Sequence, residues 1–234
     1  MLFPGFALLL TLLLLLLFTG ISKANLPPAQ RKKYVRHTAA IAALWLMYVA
    51  TLAGTGFLRD FSPPPRIALF LILPAFAFIA YFFFSKKFEA LIRGIPPAWP
   101  VYLQTFRIGV ELLILGIYLK GLAPVEPTLE GYNFDILAGI TAPVVGYFGF
   151  QRKLAPRWVL MLWNYLGLLL LANVVGIFMS LILKPALWGY AEIPIRPEFG
   201  TMPYMLIPAV LMPLAVFLHC FSLAQLRREG LELG

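Results

Sequence analysis

The sequence predicts an all-α, multi-pass membrane protein whose seven helices form a single transmembrane domain over residues 1–234. Of the 234 residues, 61% are hydrophobic and 12% are charged. A soluble domain of this length has too little interior to bury so much apolar surface. The charged residues also cluster between apolar runs of about 20 residues, the length that crosses the hydrocarbon core as a helix. The loops that remain are too short to form a separate soluble domain.

The first three predicted helices cover residues 2–22, 38–58 and 67–84. The first is saturated with leucine, and the second follows a basic segment that contains Pro27 and Pro28. The third is rich in phenylalanine and contains Pro74. A proline interrupts a helix in water, but in a membrane the neighbouring helices can satisfy the carbonyl group that it frees.

The last four predicted helices cover residues 101–119, 136–150, 158–183 and 203–226. The fourth contains two charged residues, Arg107 and Glu111. The fifth is the shortest, so whether it spans the membrane by itself stays open. The seventh contains Pro208 and Pro213 and is followed at once by two arginines.

The first apolar run has a competing interpretation as a secretory signal peptide. The segment Ser22-Lys23-Ala24 resembles a small-residue cleavage site. However, no basic side chain precedes the run, and cleavage would place the basic segment that follows on the outer face. We therefore predict an uncleaved first helix. Mass spectrometry of the purified chain distinguishes the two interpretations.

Lysine and arginine residues collect on one side of the predicted bundle. Thirteen lie in segments 23–37, 86–100 and 151–157 and after the seventh helix, whereas five lie in the opposite loops. Basic residues favour the cytoplasmic side of a membrane, so we predict a cell-membrane protein with its N-terminus outside and its C-terminus in the cytoplasm. The lipid bilayer therefore explains the net charge of +9, and we predict that the protein does not bind nucleic acid.

Polar residues within the predicted helices form the first candidate site. Arg107 and Glu111 lie four residues apart on one helix face, where they can pair. A charge at this depth costs at least about 2.5–3.5 kcal/mol. Asn164 and His219 lie at a similar depth, so the four residues could form one polar layer, with Asn173 nearer the midplane. The layer is either a structural ion pair that faces the bundle interior or a site for an anion or a proton.

The loop before the fifth helix forms the second candidate site. Asn133 and Asp135 come just before a helix, where capping residues belong. Glu130 has no such structural explanation. Together these three side chains could instead bind a cation at the outer face, although their spacing matches no calcium loop. Thr141 follows within the fifth helix.

Several kinds of site lack the residues that they need. One cysteine and two histidines supply too few nitrogen and sulfur ligands for a zinc site. No lysine lies in the middle of a predicted helix, so a retinal Schiff base has no attachment point. We therefore predict neither a cofactor nor a metal. The sequence shows no phosphate-binding loop and no nucleophile elbow.

The C-terminal half contains motifs that point to a family. They are Glu130-Gly131, Asn133-Phe134-Asp135-Ile136 and Thr141-Ala142-Pro143, with Arg107, Glu111, Trp163, Asn164, Asn173, Pro208, Pro213, His219 and Ser222. In these residues the chain resembles a group of uncharacterised bacterial integral membrane proteins. Tyr132 departs from the basic residue expected at its position. The resemblance implies a bacterial inner-membrane location and brings no established activity.

Three functions stay open after the sequence is considered. The first hypothesis is a small transporter for a solute or a proton that uses the polar layer. The second is a membrane sensor or an accessory subunit that binds a membrane-protein partner. The third, an intramembrane enzyme, is disfavoured because candidate nucleophiles and metal ligands are few. A transporter needs a water-accessible cavity at Glu111, whereas a sensor or a subunit needs a filled core.

Overall fold

A computed structural model describes residues 2–229 of the chain, with side chains up to Arg228. These residues form α-, 3-10 and π-helices and no strand. We number the seven long helical segments in chain order as α1 (Leu2–Ser22), α2 (Pro28–Gly54), α3 (Ala68–Phe84), α4 (Ala98–Leu119), α5 (Ile136–Gln151), α6 (Arg157–Leu183) and α7 (Ile207–Arg228).

Five of these segments, namely α1, α2, α4, α6 and α7, are long and apolar enough to span a membrane. The segment α3 qualifies only together with the short helix Lys86–Gly94, which follows it at a bend of 72°. The segment α5 is apolar but shorter. The predicted all-helical fold is therefore confirmed over the described residues, with five candidate membrane-spanning helices. The count of seven spans stays a prediction.

The second helix differs most from its predicted bounds. It begins at Pro28 rather than at residue 38 and ends at Gly54 rather than at residue 58. Proline is favoured in the first turn of a helix because its missing N–H has no partner there. The prediction assigns the basic segment to a loop because such residues avoid the hydrocarbon core, but a helix can continue beyond that core. The seventh helix begins at Ile207 rather than at residue 203.

The loops gather at two opposite ends of the bundle. We call one the basic end, formed by 23–27, 85–97, 152–156 and the C-terminus of α7, and the other the far end, formed by 55–67, 120–135 and 184–206. At the basic end, the backbone N–H of Asn25 donates to the carbonyl of Gly94 over 2.7 Å. At the far end, Arg196 N–H donates to the carbonyl of Leu122 over 3.0 Å. Successive loops thus alternate between the two ends.

Each proline inside α3, α5 and α7 lies in or near a stretch of π-helix. The stretches are Ala68–Ile72 before Pro74, Val145–Gln151 after Pro143, and Ile207–Leu211, which contains Pro208 and precedes Pro213. Proline cannot donate to the carbonyl four residues earlier, and its ring clashes with that carbonyl. The wider π-turns accommodate these interruptions without ending the helix.

Two of the carbonyls that face a proline are bound by side chains of α2. The indole Nε1–H of Trp45 donates to the carbonyl of Ala209 over 2.8 Å, four residues before Pro213. The hydroxyl of Tyr48 donates to the carbonyl of Phe70 over 3.1 Å, four residues before Pro74. These bonds supply a donor to backbone carbonyls whose usual partner, the N–H four residues on, is replaced by a proline, and they fasten α2 to the kinks in α3 and α7.

Replacing Trp45 by phenylalanine removes the donor to Ala209 while keeping an aromatic ring. We expect the free energy of unfolding to fall by about 1 kcal/mol, because the carbonyl becomes unsatisfied in an apolar environment. Thermal unfolding in detergent measures the change. The matched control is Trp158→Phe, at an indole that is 66% exposed. Equal destabilisation by the two variants would show that the bond to Ala209 contributes nothing.

Candidate functional site

Buried polar side chains cluster where α4, α6 and α7 meet the start of α5. Arg107 is 1% exposed, although it carries the largest side chain among the fully buried residues. We call the cluster the polar network, and it comprises Arg107, Glu111, Asn133, Asp135, Asn164, His219 and Ser222, all buried. Because these side chains are buried from solvent, their polar groups must satisfy one another.

The centre of the network is an ion pair between Arg107 and Asp135. The Nε–H of Arg107 donates to Oδ2 of Asp135 over 2.7 Å, and Nη2 contacts Oδ1. This forked geometry is the strongest arrangement of a guanidinium with a carboxylate. The predicted pairing of Arg107 with Glu111 is therefore wrong, because the guanidinium turns to a carboxylate outside its own helix. Asp135 occupies the N-cap position of α5, as predicted, but its side chain makes no cap hydrogen bond.

His219 connects Arg107 to α6. Nη1 of Arg107 lies 2.9 Å from Nε2 of His219. A guanidinium has donors only, so Nε2 accepts and the ring proton is on Nδ1. Nδ1 then donates to Oδ1 of Asn164 over 3.0 Å, and Asn164 donates to the hydroxyl of Ser222 over 3.0 Å. These contacts fix a neutral imidazole in one tautomer.

Gly167 provides the space for the imidazole. A side chain at this position of α6 would overlap the ring of His219. The carbonyl of Gly167 also accepts a long hydrogen bond from Nη2 of Arg107, at 3.4 Å. Trp163 covers the ring, with a centroid distance of 5.2 Å. The local sequence of α6 thus fits the histidine closely on one face.

Glu111 joins the network through Asn133. The amide Nδ2 of Asn133 donates to Oε1 of Glu111 over 2.7 Å and to the carbonyl of Pro127 over 2.9 Å. Its Oδ1 accepts the backbone N–H of Asp135 over 2.9 Å. The second oxygen of Glu111, Oε2, is buried and has no hydrogen-bond partner among the described residues. The network therefore ends at one free carboxylate oxygen.

The structure brings the predicted polar layer together in part. Arg107, Asn164 and His219 are in direct contact, whereas Glu111 reaches them only through Asn133 and Asp135. Asn173 lies apart on an exposed face of α6, where it donates to the carbonyl of Tyr132 over 2.8 Å.

The outer-loop candidates do not converge. Asn133 and Asp135 point into the bundle, while Glu130 is exposed. Thr141 is exposed on α5, and its hydroxyl accepts the indole N–H of Trp163 over 3.0 Å. In the part of the chain that the structure describes, no group of three His, Cys, Asp or Glu residues could hold a metal ion. The oxygens that the cation hypothesis requires are thus directed to different places.

Sequence reasoning assigned no role to Gln104 or Gly167 and missed the role of Asp135 as the counter-ion of Arg107. Gln104 is fully buried, and its Nε2 donates to the carbonyl of Ala215 over 3.0 Å. It lies where the regular helix of α4 is interrupted. A signal for Asp135 is present in the sequence, since a buried arginine requires a carboxylate and Asp135 directly precedes an apolar helix.

Two cavities lie away from the network. The larger cavity has a volume of about 360 Å³. It is lined by α1, α2, α3, α4 and α7 together with the segment before α4. The smaller, about 60 Å³, is formed mainly by α3, α6 and α7 with the far-end loops. Both are lined almost entirely by apolar side chains, and neither is lined by Arg107 or Glu111.

Over residues 2–229 the fold is all-helical, with five helices long and apolar enough to cross a bilayer and a buried internal ion pair, which are features of an integral membrane protein. Residues 64–227 match the model of the family described as domain of unknown function DUF8737, and the chain belongs to this family. No curated protein and no solved structure matches the chain. The matched region contains the whole polar network and leaves α1 and α2 outside.

Proposed function

We propose that all seven segments cross the membrane, with the N-terminus outside and the basic end in the cytoplasm. The alternation of loops between two ends supports seven crossings. Together with the short helix Lys86–Gly94, α3 has the length and hydropathy of a membrane span. The distribution of lysine and arginine, thirteen at one end and five at the other, supports the orientation.

We further propose that the protein is a small proton-coupled transporter in which Glu111 binds the proton. The observation that carries this proposal is the free Oε2 of Glu111, on a residue that is 0% exposed. In the network the charges of Arg107 and Asp135 cancel, and His219 is neutral. An ionised Glu111 thus leaves one uncompensated negative charge buried from solvent, which is costly. A proton on Oε2 removes that charge.

Hydrogen bonds connect Glu111 to the Arg107–Asp135 ion pair, so protonation of Glu111 can alter the position of Asp135. Asn133 binds Glu111 with its amide nitrogen and the backbone of Asp135 with its amide oxygen. A change of charge at Glu111 therefore acts on the loop that positions Asp135 against Arg107. In this proposal the described conformation is closed, since Arg107 and Glu111 are 1% and 0% exposed and neither lines a cavity. The water-accessible cavity that a transporter needs at Glu111 would therefore form in a second, open conformation.

The complete burial of the network favours a second candidate function. In a membrane sensor or an accessory subunit, the same contacts would be a permanent clamp that joins α4, α5, α6 and α7. A filled polar core with the two cavities elsewhere is what such a protein requires. The two candidates differ in whether Glu111 exchanges protons with the solution.

Charge displacement after a pH jump separates the candidates. Proteoliposomes adsorbed on a solid-supported membrane are exposed to a rapid change of external pH, and the transient current is recorded. We expect a current from the wild-type protein and none from Glu111→Gln, because glutamine keeps the shape but cannot ionise. Glu130→Gln is the matched control, since Glu130 is exposed at the far end.

The clamp interpretation gives the opposite result. Wild-type protein that produces no more current than empty liposomes, together with a Glu111→Gln variant that unfolds at the wild-type temperature, would refute the proton-coupled proposal. A current that Glu130→Gln also removes would place the proton-binding group at the surface instead.

A further inference from the structure

The larger cavity is partly open to the outside and is lined by both α2 and α3, and the loose packing of these two helices places the opening between them. These helices pack little against each other and are bridged near both ends. The hydroxyl of Tyr34 donates to the carbonyl of Lys87 over 3.2 Å, just beyond α3, and that of Tyr48 donates to Phe70 over 3.1 Å. The stretch of α2 between the two tyrosines is about 21 Å long. Within it, Ile41 is 47% exposed and Phe78 on α3 is 40% exposed.

The opening leads into the larger cavity. Ile41 and Phe78 form part of its wall, and deeper residues include Leu103, Phe217 and Leu218. Its volume of about 360 Å³ falls within the range of small-molecule pockets, about 300–1,000 Å³. Because the wall is almost entirely apolar, a polar solute would lose its hydration there without gaining hydrogen bonds. The cavity therefore suits a hydrocarbon chain.

Two cationic side chains lie at the basic end of this cavity. Trp99 and Ile21 line it there. The Nζ of Lys23 lies 5.1 Å from the centroid of the Trp99 ring. Arg31 donates one hydrogen bond from Nη1 to the carbonyl of Ser22, next to Ile21. A guanidinium has further donors, so the rim combines positive charge with free hydrogen-bonding capacity.

We propose that the cavity binds one acyl chain of an anionic phospholipid from the leaflet at the basic end. The chain enters between α2 and α3, and the phosphate is held by Lys23 and Arg31. An apolar space that opens sideways is reached from the bilayer without crossing water, and a basic rim selects a negative headgroup. The site lies outside the polar network and does not depend on proton coupling.

Native mass spectrometry of the full chain in detergent tests the proposal. The protein is incubated with phosphatidylglycerol or with phosphatidylcholine, and retained lipid is counted. We expect one tightly held phosphatidylglycerol and much weaker retention of phosphatidylcholine. Ala42→Phe on α2 and Ala75→Phe on α3, both at positions that line the cavity, should abolish this retention by filling the space. Ala43→Phe, on the exposed face of α2, should leave it unchanged.

The basic rim is tested separately. The double variant Lys23→Gln/Arg31→Gln should bind phosphatidylglycerol about thirtyfold more weakly, given the usual contribution of each basic residue near a membrane surface. The variant Lys32→Gln/Lys33→Gln removes the same charge from exposed positions of α2 and should have little effect.

Three results would overturn the proposal. One is folded Ala42→Phe and Ala75→Phe protein that retains phosphatidylglycerol as the wild type does. Another is equal retention of the two lipids by the wild type. The third is equal weakening by the two charge variants, which would indicate diffuse attraction to the basic end. Because the rim residues are not in the core, their variants stay informative even where a cavity variant fails to fold.

Discussion

Replacing Asp135 by asparagine is expected to lower the free energy of unfolding by about 3–5 kcal/mol, because removing one partner leaves the charge of Arg107 buried and unpaired. Both side chains are almost inaccessible, at 1% for Arg107 and 5% for Asp135. Solvent therefore cannot replace the lost carboxylate. Thermal unfolding of the purified protein in detergent, followed by circular dichroism, measures the effect.

The control for this variant is Asp60→Asn. Asp60 pairs with Arg66 at the far end, but their side chains are 38% and 40% exposed, so water and ions take over when the pair is broken. We expect little change in the unfolding temperature. A wild-type unfolding temperature for Asp135→Asn would show that Arg107 is not held as an ion pair.

A double variant shows how much of the lost stability comes from the missing ion pair and how much comes from the unpaired charge of Arg107. Arg107→Met/Asp135→Leu removes both charges and keeps apolar volume. Buried ion pairs can often be replaced in this way at small cost. We expect the double variant to recover most of the stability that Asp135→Asn loses.

Replacing Gly167 by alanine is expected to cost about 3 kcal/mol, although alanine is the better helix former. The new Cβ would overlap the imidazole of His219. The ring cannot move away without breaking its hydrogen bonds to Arg107 and Asn164. One methyl group therefore disrupts a buried polar network as well as the packing.

Gly176→Ala on the same helix is the control. Nothing lies within 4 Å of a Cβ at this position, so we expect unchanged stability or a gain of up to about 1 kcal/mol from helix propensity. The two variants are unfolded in parallel under the same conditions. Equal unfolding temperatures would mean that the space beside His219 is larger than the structure indicates.

The sequence predicted the bounds of a helix well where hydropathy alone determines them. The run that became α6 is apolar over a full membrane thickness, and its predicted bounds, 158–183, differ by one residue from Arg157–Leu183. The predicted start of α2 was wrong because hydropathy indicates only the part of a helix that lies in the hydrocarbon core. The helix itself begins earlier, at Pro28. Local backbone preference at Pro28, and not hydropathy, determines where that helix begins.

The sequence predicts how far along its helix each site residue lies, but not the direction in which its side chain points. Arg107, Asn164 and His219 were expected at one level because each lies a countable number of turns from a helix end. The choice of Asp135 over Glu111 as the partner of Arg107 depends on how α4 and α5 are rotated about their axes. It also depends on the path of the loop that carries Asn133. Neither quantity is contained in the spacing of residues along one helix.

The hydrogen bonds from α2 to the kinked helices also affect which substitutions the protein can tolerate. Ala209 accepts the indole of Trp45 because Pro213 withdraws the usual backbone donor. A substitution of Pro213 gives this carbonyl a backbone donor again, whereas loss of Trp45 alone leaves the buried carbonyl without the indole donor. We therefore expect substitutions at these two positions to depend on each other, which couples α2, outside the matched family region, to a proline within that region.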